Sequence, residues 1–352
     1  MKILFLTRYD TNGASSRMRT HQYLDLFRSA GWKGSVCPFF EADDLRERYR
    51  SGGYNPTKLL ISYARRISVM LSAKDYDIVW IEKEALPWLP SSIELFLLKK
   101  ANFVLDFDDA IFHNYDLHNS RIIRKLFSKK IDNLMKKAQL VIGGNRYLTQ
   151  RALEAGAPRV EMIPTVIDLR RYKPAQIKDK DTTSIVWIGS PSTARYLEKI
   201  STALQRLSKK VPFKIRTIGS AIEIPGLSIE NLEWSVETEA LNIAECDIGV
   251  MPLTDTPWER GKCAYKLVQY MACGLPTVSS PVGANLDVVI EGETGFFARN
   301  DDQWVERLET LILDRTLRRE MGRKGRARVE STYCLQVTGP RLINVLSKVL
   351  SA

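Results

Sequence analysis

Trp258-Glu259-Arg260-Gly261-Lys262-Cys263-Ala264-Tyr265-Lys266-Leu267-Val268-Gln269-Tyr270-Met271-Ala272-Cys273-Gly274-Leu275-Pro276-Thr277-Val278 is the stretch on which the fold is read. It follows the apolar run Ile248–Met251 and a loop carrying Pro and Asp, and Gly274-Leu275-Pro276 stops a helix and starts a strand. Strand, crossover helix and strand make the repeating unit of a parallel sheet. The same alternation runs outward in both directions. Short apolar runs at Ile3–Leu6, Ile78–Ile81, Phe103–Leu105, Leu140–Ile142 and Val160–Ile163 form one series. Ile185–Ile188, Ile215–Ile218, Ile248–Met251 and Pro276–Val278 form a second. Between them, Tyr172-Lys173-Pro174-Ala175-Gln176-Ile177-Lys178-Asp179-Lys180-Asp181-Thr182-Thr183 is charged and aperiodic. The expected fold class is therefore α/β, with two tandem Rossmann-like, doubly wound domains facing an interdomain cleft. Residues 1–173 form the N-terminal domain, 174–183 the linker, 184–335 the C-terminal domain, and 336–352 a terminal helix packing back toward the N-terminal domain.

The 352 residues are 44% apolar and 26% charged with 20 Gly and 15 Pro, which excludes disordered, collagen-like and small disulfide-stapled classes. Five scattered cysteines without Cys-x-x-Cys point to a reduced compartment, the cytoplasm, and away from structural zinc. Met1 to Arg8 reads as a first strand rather than a signal peptide, and no run of 18 apolar residues spans a bilayer.

Charge is unevenly placed. Residues 1–173 hold 29 Lys+Arg against 19 Asp+Glu, and 174–352 hold 23 against 22, so nearly all of the net +11 lies in the first half. Residues 121–137 read as one amphipathic basic helix, with Arg121, Lys125, Lys129 and Lys136 opposite an apolar stripe. Such a face could meet an anionic membrane, each basic residue contributing on the order of 1 kcal/mol, or could simply be a solvated surface over a core helix. No helix-turn-helix, zinc finger or aromatic RNA-binding signature accompanies it, which disfavours nucleic acid.

Three stretches carry chemistry. Lys262 and Lys266, one turn apart at an expected helix start, suit a diphosphate, and Gln269 could hydrogen-bond ribose hydroxyls. Asp106-Phe107-Asp108-Asp109 closes a strand, where carboxylates reach the ligand side of such sheets. Thr11-Asn12-Gly13-Ala14-Ser15-Ser16-Arg17-Met18-Arg19 reads as a glycine turn into a Ser-capped helix. Its amides and Arg17 or Arg19 could hold a phosphate, and an ordinary cap with surface arginines reads equally well. His113, Asp116 and His118 fit no standard zinc spacing, so no metal is expected. Gly143-Gly144-Asn145 reads as a sharp turn.

The segment around Lys266, with Asp247-Ile248-Gly249-Val250-Met251-Pro252 before it and Gly292-Glu293-Thr294-Gly295-Phe296 after it, resembles the donor-binding half of retaining GT-B glycosyltransferases of family 4. Ile163-Pro164-Thr165-Val166-Ile167-Asp168-Leu169-Arg170-Arg171-Tyr172 is similar to that family's interdomain signature, and Val186-Trp187-Ile188-Gly189-Ser190 to the strand-to-glycine turn of its second domain. By the resemblance, Gly189, Ser190, Arg260, Gly261, Lys262, Lys266 and Gln269 face the nucleotide-sugar donor, and Asp108 and Asp109 stand where the family carries a His-Asp pair near the transferred sugar. Residues Gly13, Ser15, Ser16, Arg17 and Arg19 match its first glycine loop, on the acceptor or phosphate side. The chain departs from the pattern in having Gly261 and Gln269 where Glu-x7-Glu is usual, and Ser190 where Arg is common.

The resemblance implies a hexosyltransferase-type enzyme that moves a sugar from a nucleotide-diphosphate-sugar to a glycan or lipid-linked acceptor with retention. Its setting would be surface polysaccharide or glycolipid assembly, peripheral to the inner face of a membrane, with no prosthetic group. A nucleotide-sugar epimerase on the same fold, or a non-catalytic sugar-nucleotide-binding subunit, are the alternatives.

Overall fold

A computed structural model describes residues 1–44, 47, 53–174 and 182–350. All but the ends of the expected linker lie outside the described residues. Two compact units result: Met1–Thr165 with Arg260–Cys263 and Thr338–Ala352, and Val166–Glu259 with Ala264–Val337.

The first unit holds a six-stranded parallel sheet in the order β2-β1-β3-β4-β5-β6. Its strands are β1 Lys2–Tyr9, β2 Lys33–Phe40, β3 Ile78–Glu82, β4 Phe103–Phe107, β5 Leu140–Gly143 and β6 Val160–Met162. The second unit's sheet runs β12-β11-β10-β7-β8-β9. These strands are β7 Thr183–Ile188, β8 Phe213–Ile218, β9 Ile229–Leu232, β10 Ile248–Met251, β11 Thr277–Ser279 and β12 Gly295–Phe297. Every strand pairing among the described residues is parallel, as crossover helices require. The apolar runs fall on the central strands: β3 and β4 are buried at all five positions, β5 at all four.

Three strands lack such a run in the sequence, and all three are sheet edges. β2 carries Gly34 and Pro38, β9 carries Glu230 and Asn231, and β12 begins at Gly295. An edge strand is covered on fewer sides, so it tolerates charge and proline that a central strand excludes.

Residues 121–137 form two helices, Arg121–Phe127 and Lys130–Lys137, in place of the single one expected. Lys130 turns inward, its Nζ 2.6 Å from Glu84 and 3.0 Å from Glu94, both of which are buried. Two buried carboxylates require a buried cation, and Lys130, which shares the helical face of Phe127 and Leu134, supplies it.

In the second unit, Trp187, Ile215, Ile248, Val278 and Leu308 belong to one apolar cluster that clamps helices onto the sheet. An isolated bridge from Ile167 to Cys334 ties the segment before Tyr172 to the same unit.

Candidate active site

β3 ends in Glu82-Lys83-Glu84, and the three side chains organise the first unit's strand ends. Glu82 accepts the Ser15 and Ser16 hydroxyls, each at 2.5 Å, and the Arg8 amide at 3.0 Å. Lys83 leaves the strand with φ +67, a left-handed conformation unusual for a long side chain. Its Nζ then lies 2.9 Å from Asp108, 3.7 Å from Asp109 and 2.9 Å from the Ser15 hydroxyl. Burial disfavours both charges of the Lys83–Asp108 pair, and each outweighs that for the other: the ammonium is held above its usual value and Asp108 below. Glu84 takes Lys130 and the Tyr115 hydroxyl, the latter at 2.7 Å.

Sequence reasoning passed over Lys83. The available signal was the charge triplet directly after Ile78–Ile81, which obeys the same strand-end rule that singled out Asp108 and Asp109.

Arg19 does not present itself to a phosphate. It is buried, forked onto Asp106 at 2.5 and 2.9 Å, and donates to the Ile163 carbonyl at 2.8 Å. Burial pushes the Asp106 carboxyl up, against Arg19's pull, to about 6. An acid inside a strand needs a fixed cation, and Arg19 is that cation. Arg17 is also buried and donates to the Thr11 carbonyl at 3.3 Å. The helix Ala14–Arg19 is capped by the Gly13 backbone, not by a serine, because Ser15 and Ser16 point to Glu82.

Arg260–Cys263 belongs to the first unit and corrects the expected helix start. The Asn145 side chain donates to the Lys262 carbonyl at 3.0 Å and the Arg260 carbonyl at 3.4 Å. Cys263 Sγ donates to the Asp108 carbonyl at 3.1 Å, and Lys262 Nζ lies 3.8 Å from Asp109. The helix begins only at Tyr265, after Ala264 in a left-handed conformation, so Lys262 and Lys266 are not one turn apart on it. Gly261 passes so close to Ala110 that a Cβ would lie 2.8 Å from its backbone nitrogen. Gly261→Ala is expected to destabilise the first unit by about 1–3 kcal/mol, read as a lower denaturant midpoint at unchanged slope.

In the second unit, Lys266 stands in the first turn of helix Tyr265–Ala272 with Nζ 5.4 Å from the Trp187 ring centroid. Gly189 follows β7, and the Trp187 indole fills the space where its side chain would be. The Ser190 hydroxyl pairs with that of Ser192 at 2.9 Å. Gln269 is not free for a ribose: it is buried and donates to the Tyr172 hydroxyl at 2.8 Å. Tyr172 in turn donates to Glu239 at 2.8 Å, and Trp234 donates to the other Glu239 oxygen at 2.7 Å. This buried relay joins Gln269 to a glutamate from another helix. His113, weighed above as a ligand, bonds Asp116 and the Tyr147 hydroxyl, each at 2.8 Å. Asn145 caps the helix Arg146–Glu154, accepting the Leu148 amide at 2.9 Å, as a turn after β5 requires.

Residues 173–314 match the family Glycosyl transferases group 1. A capsular polysaccharide biosynthesis glycosyltransferase, CapM of Staphylococcus aureus, is 32% identical over 85 residues, which are 24% of this chain and 22% of CapM. The match thus spans about a fifth of that relative's length. Sucrose-phosphate synthase from Thermosynechococcus elongatus superposes with TM-score 0.75 at 13% identity, over 99% of both chains. Anabaena Alr3699/HepE in complex with UDP-glucose superposes with TM-score 0.74 at 16% identity, over 99% of this chain and 100% of that one. The fold is GT-B, with two six-stranded parallel sheets, as the sequence leads one to expect.

Proposed function

We propose that this protein is a glycosyltransferase that moves a sugar from a nucleotide-diphosphate-sugar to an acceptor hydroxyl with retention of configuration, as in family 4. It would act in cell-surface polysaccharide or glycolipid assembly. The observation that carries the reading is Lys266, inside the matched segment, in the first turn of a helix that has no acidic residue there. A cation at the positive end of a helix is unfavourable in isolation and becomes favourable when an anion docks beside it. A departing diphosphate is such an anion, and Lys266 with the helix amides would stabilise its growing charge.

In the first unit, Asp108 and Asp109 would orient the acceptor hydroxyl or stabilise a cation-like sugar. Lys83 holds Asp108 ionised, the state in which it can accept a proton or a hydrogen bond. Glycan or lipid-linked acceptors fit the reading. The five cysteines are free thiols, which suits the cytoplasm. Among the described residues, no helix is long and apolar enough to cross a membrane, and no cluster of three or more His, Cys, Asp or Glu side chains is placed to hold a metal ion.

The test is release of nucleoside diphosphate from UDP-, GDP-, ADP- and dTDP-sugars with membrane lipid extract as acceptor, with and without EDTA. UDP-glucose comes first, since HepE is described with it. Release from one donor that needs the extract and survives EDTA is expected; isomerised donor without extract would instead mean an epimerase, and binding without turnover a non-catalytic subunit. Lys266→Ala should lower kcat/KM more than about tenfold, or roughly 1.4 kcal/mol. Unchanged kinetics would remove Lys266 from the mechanism.

A further inference from the structure

We propose that the helix Arg121–Phe127 is a membrane anchor whose Ile122 and Leu126 enter the interfacial layer of an anionic bilayer, with Leu117 and Trp88 exposed on adjoining segments. The inference does not depend on the transferase reading.

This helix buries none of its seven residues, whereas its neighbour Lys130–Lys137 buries five of eight. Helices this short are marginal in water unless a face is packed. Yet Ile122 and Leu126, one turn apart, are 70% and 67% exposed, with Leu117 at 55% and Trp88 at 44%. Single exposed apolar residues are ordinary, but a group of them on adjoining segments marks a contact surface.

The four belong to adjoining segments. The Trp88 ring packs edge-on against Tyr115 at 5.0 Å and His118 at 5.9 Å, and Tyr115 meets Phe127 at 6.0 Å. Trp88 is held in a left-handed conformation, φ +61, by this packing and by the bond from its amide to the Tyr115 hydroxyl. A bulky residue in that conformation carries backbone strain, which the surrounding contacts sustain.

Charge selects the partner. From Asn114 to Lys137 every exposed charged side chain is basic: Arg121, Lys125, Lys129, Lys136 and Lys137. The two acids of the stretch, Asp116 and Asp132, are drawn inward by Arg151. Exposed aliphatic side chains, an exposed indole on an adjoining segment and basic exposed charges throughout 114–137 are what an anionic interface accepts, the apolar groups below the phosphates and the cations among them. Trp88 and Leu117 follow β3 and β4, the strands whose ends carry Lys83 and Asp108.

The experiment is sedimentation of the full chain with sucrose-loaded vesicles of phosphatidylcholine, and of an equimolar mixture with phosphatidylglycerol. Wild type is expected to pellet with the anionic vesicles only, less so as salt rises. Ile122→Ser with Leu126→Ser should lower the partition coefficient about tenfold or more. Arg121→Glu with Lys125→Glu should abolish binding. Neither pair should shift the thermal midpoint, because no residue of the helix is buried. Wild type that stays in the supernatant with both vesicles overturns the proposal and leaves the patch to a protein partner. Serine variants that pellet like wild type overturn insertion and reduce the contact to charge alone.

Discussion

Arg19→Met is expected to lower stability by about 3–5 kcal/mol, because it strands the buried Asp106 carboxylate near the end of β4 without its cation. For a unit of this size that corresponds to roughly 6–20 °C in thermal midpoint. The loss should depend on pH in a defined direction. With Arg19 present, burial already pushes Asp106 up to about 6, and the guanidinium is what holds it down. Without Arg19, burial and the charges of Asp108 and Glu82 all push the folded-state pKa higher still. A group whose folded pKa lies above its unfolded value contributes stability at low pH and loses it as pH rises through the folded value. The wild type completes that loss near pH 6, and the variant continues to lose stability above it, so the deficit widens from pH 6 toward pH 8. Denaturant melts of both proteins across that range check the sign. A deficit constant with pH would show that Arg19 acts by packing and its bonds to Ile163 and Thr165 instead. Arg19→Met combined with Asp106→Leu should recover much of the loss, since an apolar pair can replace a buried ion pair of similar volume.

Asp108→Asn should cut kcat by about 10²–10⁴, the range for loss of a positioned acid or base, with KM for the donor nearly unchanged. Asp109→Asn serves as the comparison, since its carboxyl is the more exposed and is shared between Lys83 and Lys262. Lys83→Met separates positioning from chemistry. Removing the ammonium leaves Asp108 buried with its strongest charge partner gone, so its pKa rises. Activity of that variant should then return as pH is raised, with the acid limb of the kcat profile displaced upward relative to wild type. A profile that merely scales down would mean Lys83 supports structure alone.

How far the site could be read in advance differs residue by residue. The strand-end placement of Asp108 and Asp109 was legible, because topology follows from a periodic apolar pattern. Lys83 obeyed the same rule, yet the short apolar run before it drew attention to the strand rather than to its last residues. Arg19 and Gln269 were misread for one reason. A polar side chain on a loop or helix start looks available until the buried partner is known, and Asp106 lies 87 residues from Arg19, while Tyr172 lies 97 from Gln269. The Gly261–Lys262 segment was misread similarly, since its anchors, Asn145, Asp108 and Ala110, all lie over 100 residues earlier in the chain.

The sequence by itself determined the two parallel sheets, their central strands and the strand-end position of the acids, because burial on both faces forces continuous apolar runs separated by helical crossovers. The tertiary structure decided which charges are spent on one another. Lys130 on Glu84 and Glu94, Arg19 on Asp106 and Lys83 on Asp108 are pairings across distant segments, fixed by the cost of leaving a charge buried alone. No local pattern encodes that choice, since each side chain would be equally at home in water until the sheet brings its partner beside it.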